Sequence, residues 1–314
     1  MKLTHQNSRR VSLFLLLPML ATPVVAGTVT FYRNPLLTMR EVLRFRLLLS
    51  GASERTVDVG GLPVRYFESI PQAPRPNQET LVLVHGFGDS AETWSLVLPR
   101  LKHEWRIVAP DLAGFGRTPI PPEGMRFSVL TDYLSRFLDV VGVQKAALAG
   151  NSLGGAIAIR YAAAHPERVS HLFLLDSAGL HPGATIHAPQ AKTREEARQM
   201  VKAVSGTNPR YVPNFVLDDI VRRAQEPARQ QYRNSDEPTD VSGSLSHVKA
   251  PTTIIRGALD ELIPEEHADR MHAEIEDSEL IILPGVGHVP QLQAPKRLAE
   301  IIRSRLGSSV PHRR

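Results

Sequence analysis

The stretch Gly150-Asn151-Ser152-Leu153-Gly154 decides the fold, because it stands between an apolar run and an alanine-rich one. Lys145 to Ala149 reads as a short buried strand. Gly155 to Ala164 reads as a helix, with Ala156, Ala158, Ala162, Ala163 and Ala164 supplying propensity. A serine on the turn between them occupies a nucleophile elbow, a sharp strand-to-helix bend that lifts the hydroxyl out of the sheet. Gly150 and Gly154 fit the same geometry. The bend brings strand and helix backbones close together, and a side chain at either position would collide.

On both sides of this elbow the pattern alternates strand and helix. Thr56 to Val59 and Pro63 to Glu68 predict a hairpin around Gly60-Gly61, followed by the proline-rich loop Pro71 to Pro76. Thr80 to Val84 (strand), Ala91 to Leu101 (helix), Arg106 to Ala109 (strand) and Phe127 to Val141 (helix) lead up to the elbow, and His171 to Leu175 (strand) follows it. Thr252 to Ile255, Glu265 to Ile275, Leu280 to Leu283 and Ala294 to Leu306 resume the rhythm near the end. Such alternation predicts a mostly parallel sheet with helices on both faces. Between Leu180 and His247 the rhythm breaks into helical segments, Thr193 to Ala203 and Asn214 to Ala228, which predicts an inserted helical lid. The expected division is residues 1–32 as signal peptide or membrane anchor and 33–54 as an amphipathic linker helix. Residues 55–179 and 248–307 then form the core, 180–247 the lid, and 308–314 a tail.

A serine hydroxyl needs a base to take its proton, and the base needs a third group to hold its tautomer. Asp260, in Arg256-Gly257-Ala258-Leu259-Asp260, and His288, in Gly285-Val286-Gly287-His288-Val289-Pro290, each follow a predicted strand. They complete the order Ser, Asp, His expected of an elbow enzyme. Loops leaving the carboxyl ends of parallel strands gather at one edge of the sheet, so all three residues arrive together. Glu261 and Asp176, the latter at the end of Leu174-Leu175-Asp176, are the competing acids. His85-Gly86-Phe87-Gly88 follows the strand Thr80 to Val84, where a loop can offer a backbone N–H to a developing oxyanion. The expected donors are the N–H groups of Phe87 and Leu153. His85 and Gly86 then shape that loop rather than carry protons.

Composition excludes other classes. The chain of 314 residues has no cysteine, which rules out a disulfide framework, a thiol nucleophile and thiolate metal sites. No H-x-x-x-H pair occurs, so no metal is expected. Asp111-Leu112-Ala113-Gly114-Phe115-Gly116 lacks the third glycine of a dinucleotide loop and the Gly-Lys-Ser/Thr ending of a nucleotide loop. The formal charge of +5 owes much to Lys2, Arg9 and Arg10; without residues 1–26, 34 basic and 32 acidic residues remain. No basic stripe interleaved with aromatics is present, so nucleic acid is not an expected partner. Those three cations precede an apolar stretch, Val11 to Ala26, that ends in Val24-Val25-Ala26, which resembles a cleavage site. Val11 to Tyr32 is nevertheless uncharged throughout and long enough to cross a bilayer. Either export reading places the rest of the chain outside the cytoplasm, anchored and facing the periplasm or exterior or secreted after cleavage; a hydrophobic helix of a soluble protein is the third reading. Leu36 to Leu49 continues as an amphipathic helix that either packs on the domain or lies on an anionic membrane surface.

Five segments in order resemble the α/β-hydrolase family over about residues 55–307: V-H-G-F-G-D-S near Val84, D-L-A-G-F-G near Asp111, G-N-S-L-G-G around Ser152, R-G-A-L-D-E-L-I-P around Asp260 and G-V-G-H-V-P around His288. The resemblance extends to membrane-associated monoacylglycerol lipases and bacterial serine lipases and esterases. It implies a carboxylic ester hydrolase with a Ser152, Asp260, His288 triad, no cofactor, and a lipid or small-molecule ester as substrate. The chain departs in two places: Gln293 stands where relatives often carry glutamate, and Asn151 is also common in relatives that hydrolyse carbon–carbon bonds. A carbon–carbon hydrolase and a non-catalytic binding protein on the same scaffold are the alternatives. Dehalogenases and epoxide hydrolases of this fold carry aspartate at the nucleophile position, which Ser152 excludes.

Overall fold

The computed structural model describes residues 29–73, 79–180, 191–207 and 211–307. Two strands, β1 (Ser53–Val59) and β2 (Leu62–Ser69), open the sheet as an antiparallel hairpin. Gly60 and Gly61 form its two-residue turn with φ of 64° and 90°, and such a turn with both central residues at positive φ matches the twist of the flanking strands. β3 (Thr80–Val84), β4 (Arg106–Pro110), β5 (Ala146–Asn151), β6 (Val169–Leu175), β7 (Thr252–Gly257) and β8 (Ser278–Leu283) complete eight strands in the order β1-β2-β4-β3-β5-β6-β7-β8. From β4 to β8 every pairing is parallel. The central strands β3, β5 and β7 are buried along their whole length, and their mainly apolar or small residues suit strands covered on both faces.

Helices cover both faces. α2 (Phe127–Val140), α3 (Leu153–Ala164) and α7 (Glu265–Glu274) pack one side with Val82, Leu148, Leu174 and Ile254. On the other side Leu47 from α1 (Pro35–Leu49), Trp94 and the residues Leu298 and Ile302 of α8 (Pro295–Leu306) pack on Leu83, Ala149 and Phe173. Between β6 and β7 run α4 (Arg194–Ser205), α5 (Asn214–Ala224) and α6 (Pro227–Arg233); α4 and α5 enclose a small core around Ala197, Leu217 and Ile220, while Ala228 and Tyr232 of α6 pack on the main core.

Two expected helices are interrupted, both by proline. The expected helix over Asn214 to Ala228 ends at Ala224 and restarts as α6 with Pro227 in its first turn. Ala91 to Leu101 is a 3₁₀ turn, Ala91–Leu96, and then a four-residue helix, Leu98–Leu101, with Pro99 in its first turn. Pro99 has no N–H to return to the preceding turn, and the Ser95 carbonyl instead accepts from Arg46 Nε at 3.3 Å. Residues 1–28 and 308–314, on which the leader and tail expectations rest, lie outside the described residues, as do 181–190 and 208–210 of the expected lid. Among the described residues, no helix is long and apolar enough to cross a membrane.

Candidate active site

β5 runs directly into the elbow. Ser152 holds φ 54° and ψ −119°, a left-handed conformation that a non-glycine residue adopts only when its surroundings impose it. Its N–H donates to the Leu175 carbonyl at 3.0 Å, and its own carbonyl accepts from Gly155 and Ala178. The close approach read from the two glycines is present. A Cβ on Gly150 would lie 2.3 Å from the Gly154 carbonyl oxygen, and one on Gly154 would lie 2.4 Å from that of Val84.

Asp260 follows β7 and His288 follows β8, and the two meet: His288 Nδ1 lies 2.9 Å from Asp260 Oδ2, with both side chains buried. The other oxygen, Asp260 Oδ1, accepts from the Leu262 and Ile263 N–H groups at 2.8 and 3.3 Å. Burial alone would push the Asp260 carboxyl up; His288 and those N–H groups outweigh it and hold the acid below its ordinary value. Of the competing acids, Glu261 is exposed and pairs with Lys202 at 2.9 Å. Asp176 is buried beside Asp260 and accepts the Gly257 N–H, 2.8 Å away, instead of facing the histidine.

The serine and histidine are connected by a residue that sequence reasoning treated only as a family variant. Asn151 Nδ2 donates to the His288 carbonyl at 2.9 Å and to the Leu175 carbonyl at 3.1 Å. Its Oδ1 accepts from Gln291 Nε2 at 3.0 Å, and the same Nε2 reaches Thr93 Oγ1 at 3.2 Å. Gln293 stitches the histidine loop from outside. Its Oε1 accepts the Gly287 and Val289 N–H groups, while its Nε2 donates to the Ser205 carbonyl. An amide serves both ends of this bridge, because its nitrogen donates to a carbonyl where a carboxylate could only accept. Among the described residues, Ser152 Oγ has no hydrogen bond to His288 in this geometry.

The loop after β3 lies against the elbow, and a Cβ on Gly86 would stand 3.2 Å from that of Ser152. His85 is fully buried and accepts the Leu112 N–H on Nε2 at 2.9 Å. Its proton therefore sits on Nδ1, which donates to the Gly86 carbonyl at 2.8 Å. The ring thus fixes the loop from within. Neither the Phe87 N–H nor the Leu153 N–H meets an acceptor among the described residues. From the insertion, the Phe87 ring packs on Tyr232 at 5.4 Å, and the Arg229 guanidinium donates to the Gly88 carbonyl. A cavity of about 510 Å³ opens beside this loop, lined by Leu36, Met39, Asp89, Phe115 and Arg229; it does not include Ser152, Asp260 or His288. No cluster of His, Asp and Glu side chains able to hold a metal occurs among the described residues.

A serine presented on a strand–turn–helix elbow, with a paired histidine and aspartate on the next loops of a parallel sheet, defines a hydrolase class. The model of the alpha/beta hydrolase family matches residues 81–301, and the chain belongs to that family. The 2-hydroxy-6-oxo-6-(2'-aminophenyl)hexa-2,4-dienoic acid hydrolase of Metapseudomonas resinovorans is 29% identical over 263 residues, covering 78% of this chain and 88% of its own. Lipase 1 of Psychrobacter immobilis is 26% identical over 238 residues, covering 71% and 75%. The solved structure of a membrane phospholipase A, described as a bacterial virulence factor, superposes with a TM-score of 0.75 at 27% identity and covers 94% of this chain and 98% of its own. The chain is thus an α/β hydrolase with both lipase and carbon–carbon hydrolase relatives.

Proposed function

We propose that the protein is a serine hydrolase of carboxylic esters, with acylglycerols or similar lipid-like esters as substrates. The observation that carries this reading is the His288–Asp260 pair, 2.9 Å apart, reached through Asn151 from a serine held at positive φ. Ser152 Oγ attacks the ester carbonyl carbon as His288 Nε2 takes its proton. Asp260 keeps the imidazole in the tautomer with Nδ1 protonated and stabilises the imidazolium that forms. Negative charge collects on the former carbonyl oxygen, and the unengaged N–H groups of Phe87 and Leu153 stabilise it there. His288 returns the proton to the leaving alkoxide, which departs as the alcohol and leaves the acyl group on Ser152. Water, deprotonated by the same histidine, then releases the carboxylic acid. No cofactor enters these steps.

The lipid-like substrate class is supported by the lipase and phospholipase relatives and by the apolar run Val11 to Tyr32. That run exports the chain and holds it at a membrane, or is cleaved after export. The second reading, hydrolysis of a carbon–carbon bond in a vinylogous diketone acid, is favoured by the M. resinovorans relative. One assay separates them: turnover of p-nitrophenyl esters from acetate to palmitate, of a monoacylglycerol, and of a 2-hydroxy-6-oxo-dienoic acid. A maximum at medium or long acyl chains with the monoacylglycerol cleaved is expected. Turnover of the dienoic acid alone would overturn the ester reading, and failure of a serine-directed phosphonate to label Ser152 would overturn both.

A further inference from the structure

The triad as proposed uses one acid, yet the structure places two together. Asp176 follows β6 at φ 42°, its N–H donating to the Ile255 carbonyl at 2.9 Å, which turns its side chain toward the end of β7. It is 3% exposed. Oδ1 accepts the Gly257 N–H, while Oδ2 is buried and meets no donor, although the carboxyl is within hydrogen-bond reach of Asp260. Two buried carboxyls within hydrogen-bond reach of each other, one with an oxygen that meets no donor, are stabilised by a proton held between them. The void beside Asp176 is about 10 Å³ and is walled mainly by Ile254, Ile255, Ile263, Ala268 and Met271, an apolar lining that does not attract water to that side of the carboxyl.

The surroundings decide which carboxyl carries that proton. Asp260 receives the His288 ring and two backbone N–H groups, all of which favour its charged form. Asp176 receives one N–H and faces the Asp260 charge. The cation beside them, Arg256, is spent on the carbonyls of Ile263 and Asp260 at 3.0 and 3.3 Å. We infer that Asp176 is a positioning residue for the triad, holding a proton of its own and donating it as a hydrogen bond to the Asp260 carboxylate. Burial and the neighbouring charge both drive the Asp176 carboxyl well above its ordinary range, in the same direction. The donor fixes Asp260 from the side opposite His288 without adding a second negative charge to the pair.

This inference rests on the roles proposed for Asp260 and His288, and the test keeps the two apart. Loss of turnover in Asp260→Ala and Ser152→Ala checks those roles; Asp176 variants check the inference. Profiles of kcat/KM against pH are measured on p-nitrophenyl butyrate with full-length protein. Asp176→Asn keeps a neutral donor toward Asp260 and a carbonyl toward Gly257, so kcat and the acid limb stay near wild type. Asp176→Ala removes the donor from a charged acceptor, and kcat falls about tenfold or more with KM unchanged. Its acid limb moves to higher pH, because Asp260 then places its full charge on the imidazolium. An acid limb displaced to lower pH in Asp176→Asn would mean that a negative charge had been removed, and would overturn the inference. An Asp176→Ala enzyme with wild-type kcat and limb would overturn it equally.

Infrared spectroscopy provides a check on wild-type protein should either variant fail to fold. At neutral pH a carboxylic-acid carbonyl band is expected, and part of it is lost in Asp260→Asn, where Asp176 no longer faces a charge. Burial also raises Asp89 and Glu79, and their share of the band is unaffected by that substitution. A band absent from the wild type, or unchanged in Asp260→Asn, would overturn the inference.

Discussion

Ser152 and Gly154 show how much chemistry two positions of one elbow carry. Replacing Ser152 with alanine removes the proposed nucleophile and nothing that holds the elbow, because the contacts of this residue are made by its backbone. Turnover is expected to vanish while circular dichroism and the urea midpoint stay near wild type; retained turnover would end the serine assignment. Gly154→Ala does the reverse. Its methyl group would lie 2.4 and 2.5 Å from the carbonyl oxygens of Val84 and His85, neither of which can move without shifting β3. A destabilisation of about 1–3 kcal/mol is expected, together with a larger loss of kcat, since the same shift displaces the Phe87 N–H; urea titration and ester kinetics read the two effects separately. These positions were legible from sequence because the elbow is local: five consecutive residues specify it. The Asn151–Gln291–Thr93 chain was not, because its partners lie 140 and 198 residues apart and no spacing rule connects them.

Among the elements, the helices between β6 and β7 reach the candidate site itself. The last turn of α4 is built into the loops of Asp260 and His288: the Ala203 carbonyl accepts the Glu261 N–H and the Val204 carbonyl accepts the His288 N–H at 2.8 Å. Its first turn is closed by a capping box, with Thr193 Oγ1 accepting from Glu196 N while the Glu196 carboxylate takes the Thr193 N–H. Thr193→Ala is expected to cost about 1 kcal/mol, visible as faster hydrogen exchange across residues 194–205 and as a reduced kcat through the His288 loop. Unchanged exchange would show that docking on those loops, rather than the cap, holds the helix. A second set of elements is tied by Arg65 on β2, which meets Glu54 of β1, Glu92 of the 3₁₀ turn and Asp111 after β4 at 2.8, 2.5 and 2.9 Å. Burial pushes the Glu92 carboxyl up, but the Arg65 guanidinium outweighs it and leaves the group below its ordinary 4.5. A lowered acid contributes stability above its unfolded value and loses it as pH falls through the folded one. Glu92→Gln should therefore destabilise the fold by about 3–5 kcal/mol at neutral pH, and the gap to wild type should narrow below pH 4.5 in urea titrations. Sequence periodicity located the strands that carry this network. It could not show the network, because charges on separate strands carry no pattern until the register is known.

For the whole molecule, the proposed ester substrate raises the matter of how the hydrolase reaches an apolar molecule, and α1 bears on it directly. One side of the helix is fixed to the domain: Leu47 is buried, the Leu36 N–H donates to Asp219 at 2.9 Å, and Arg44 pairs with Glu54. The other side is open and mostly apolar, with Arg46 exposed among its residues. Met39, Val42, Phe45 and Leu49 are 53, 63, 60 and 73% exposed, at spacings of three and four residues that align them along one face. Phe31 and Tyr32, just upstream, are also exposed and pack on Phe215 of α5. This open face continues from the uncharged run ending at Tyr32, and the same helix lines the cavity beside the Phe87 loop through Leu36 and Met39. The two readings of α1 are therefore compatible, since one face packs on the domain while the other is free to enter a lipid interface. If it does so, the Val42→Glu, Phe45→Glu double variant loses the burial of two large side chains at the interface. Turnover of a monoacylglycerol held in phosphatidylglycerol vesicles should then fall on the order of tenfold or more. Soluble p-nitrophenyl butyrate should be cleaved at the wild-type rate, because neither residue touches the loops of Ser152, Asp260 or His288. Equal losses on both substrates would place the effect in folding, and no loss on vesicles would leave the face without a role in reaching lipid.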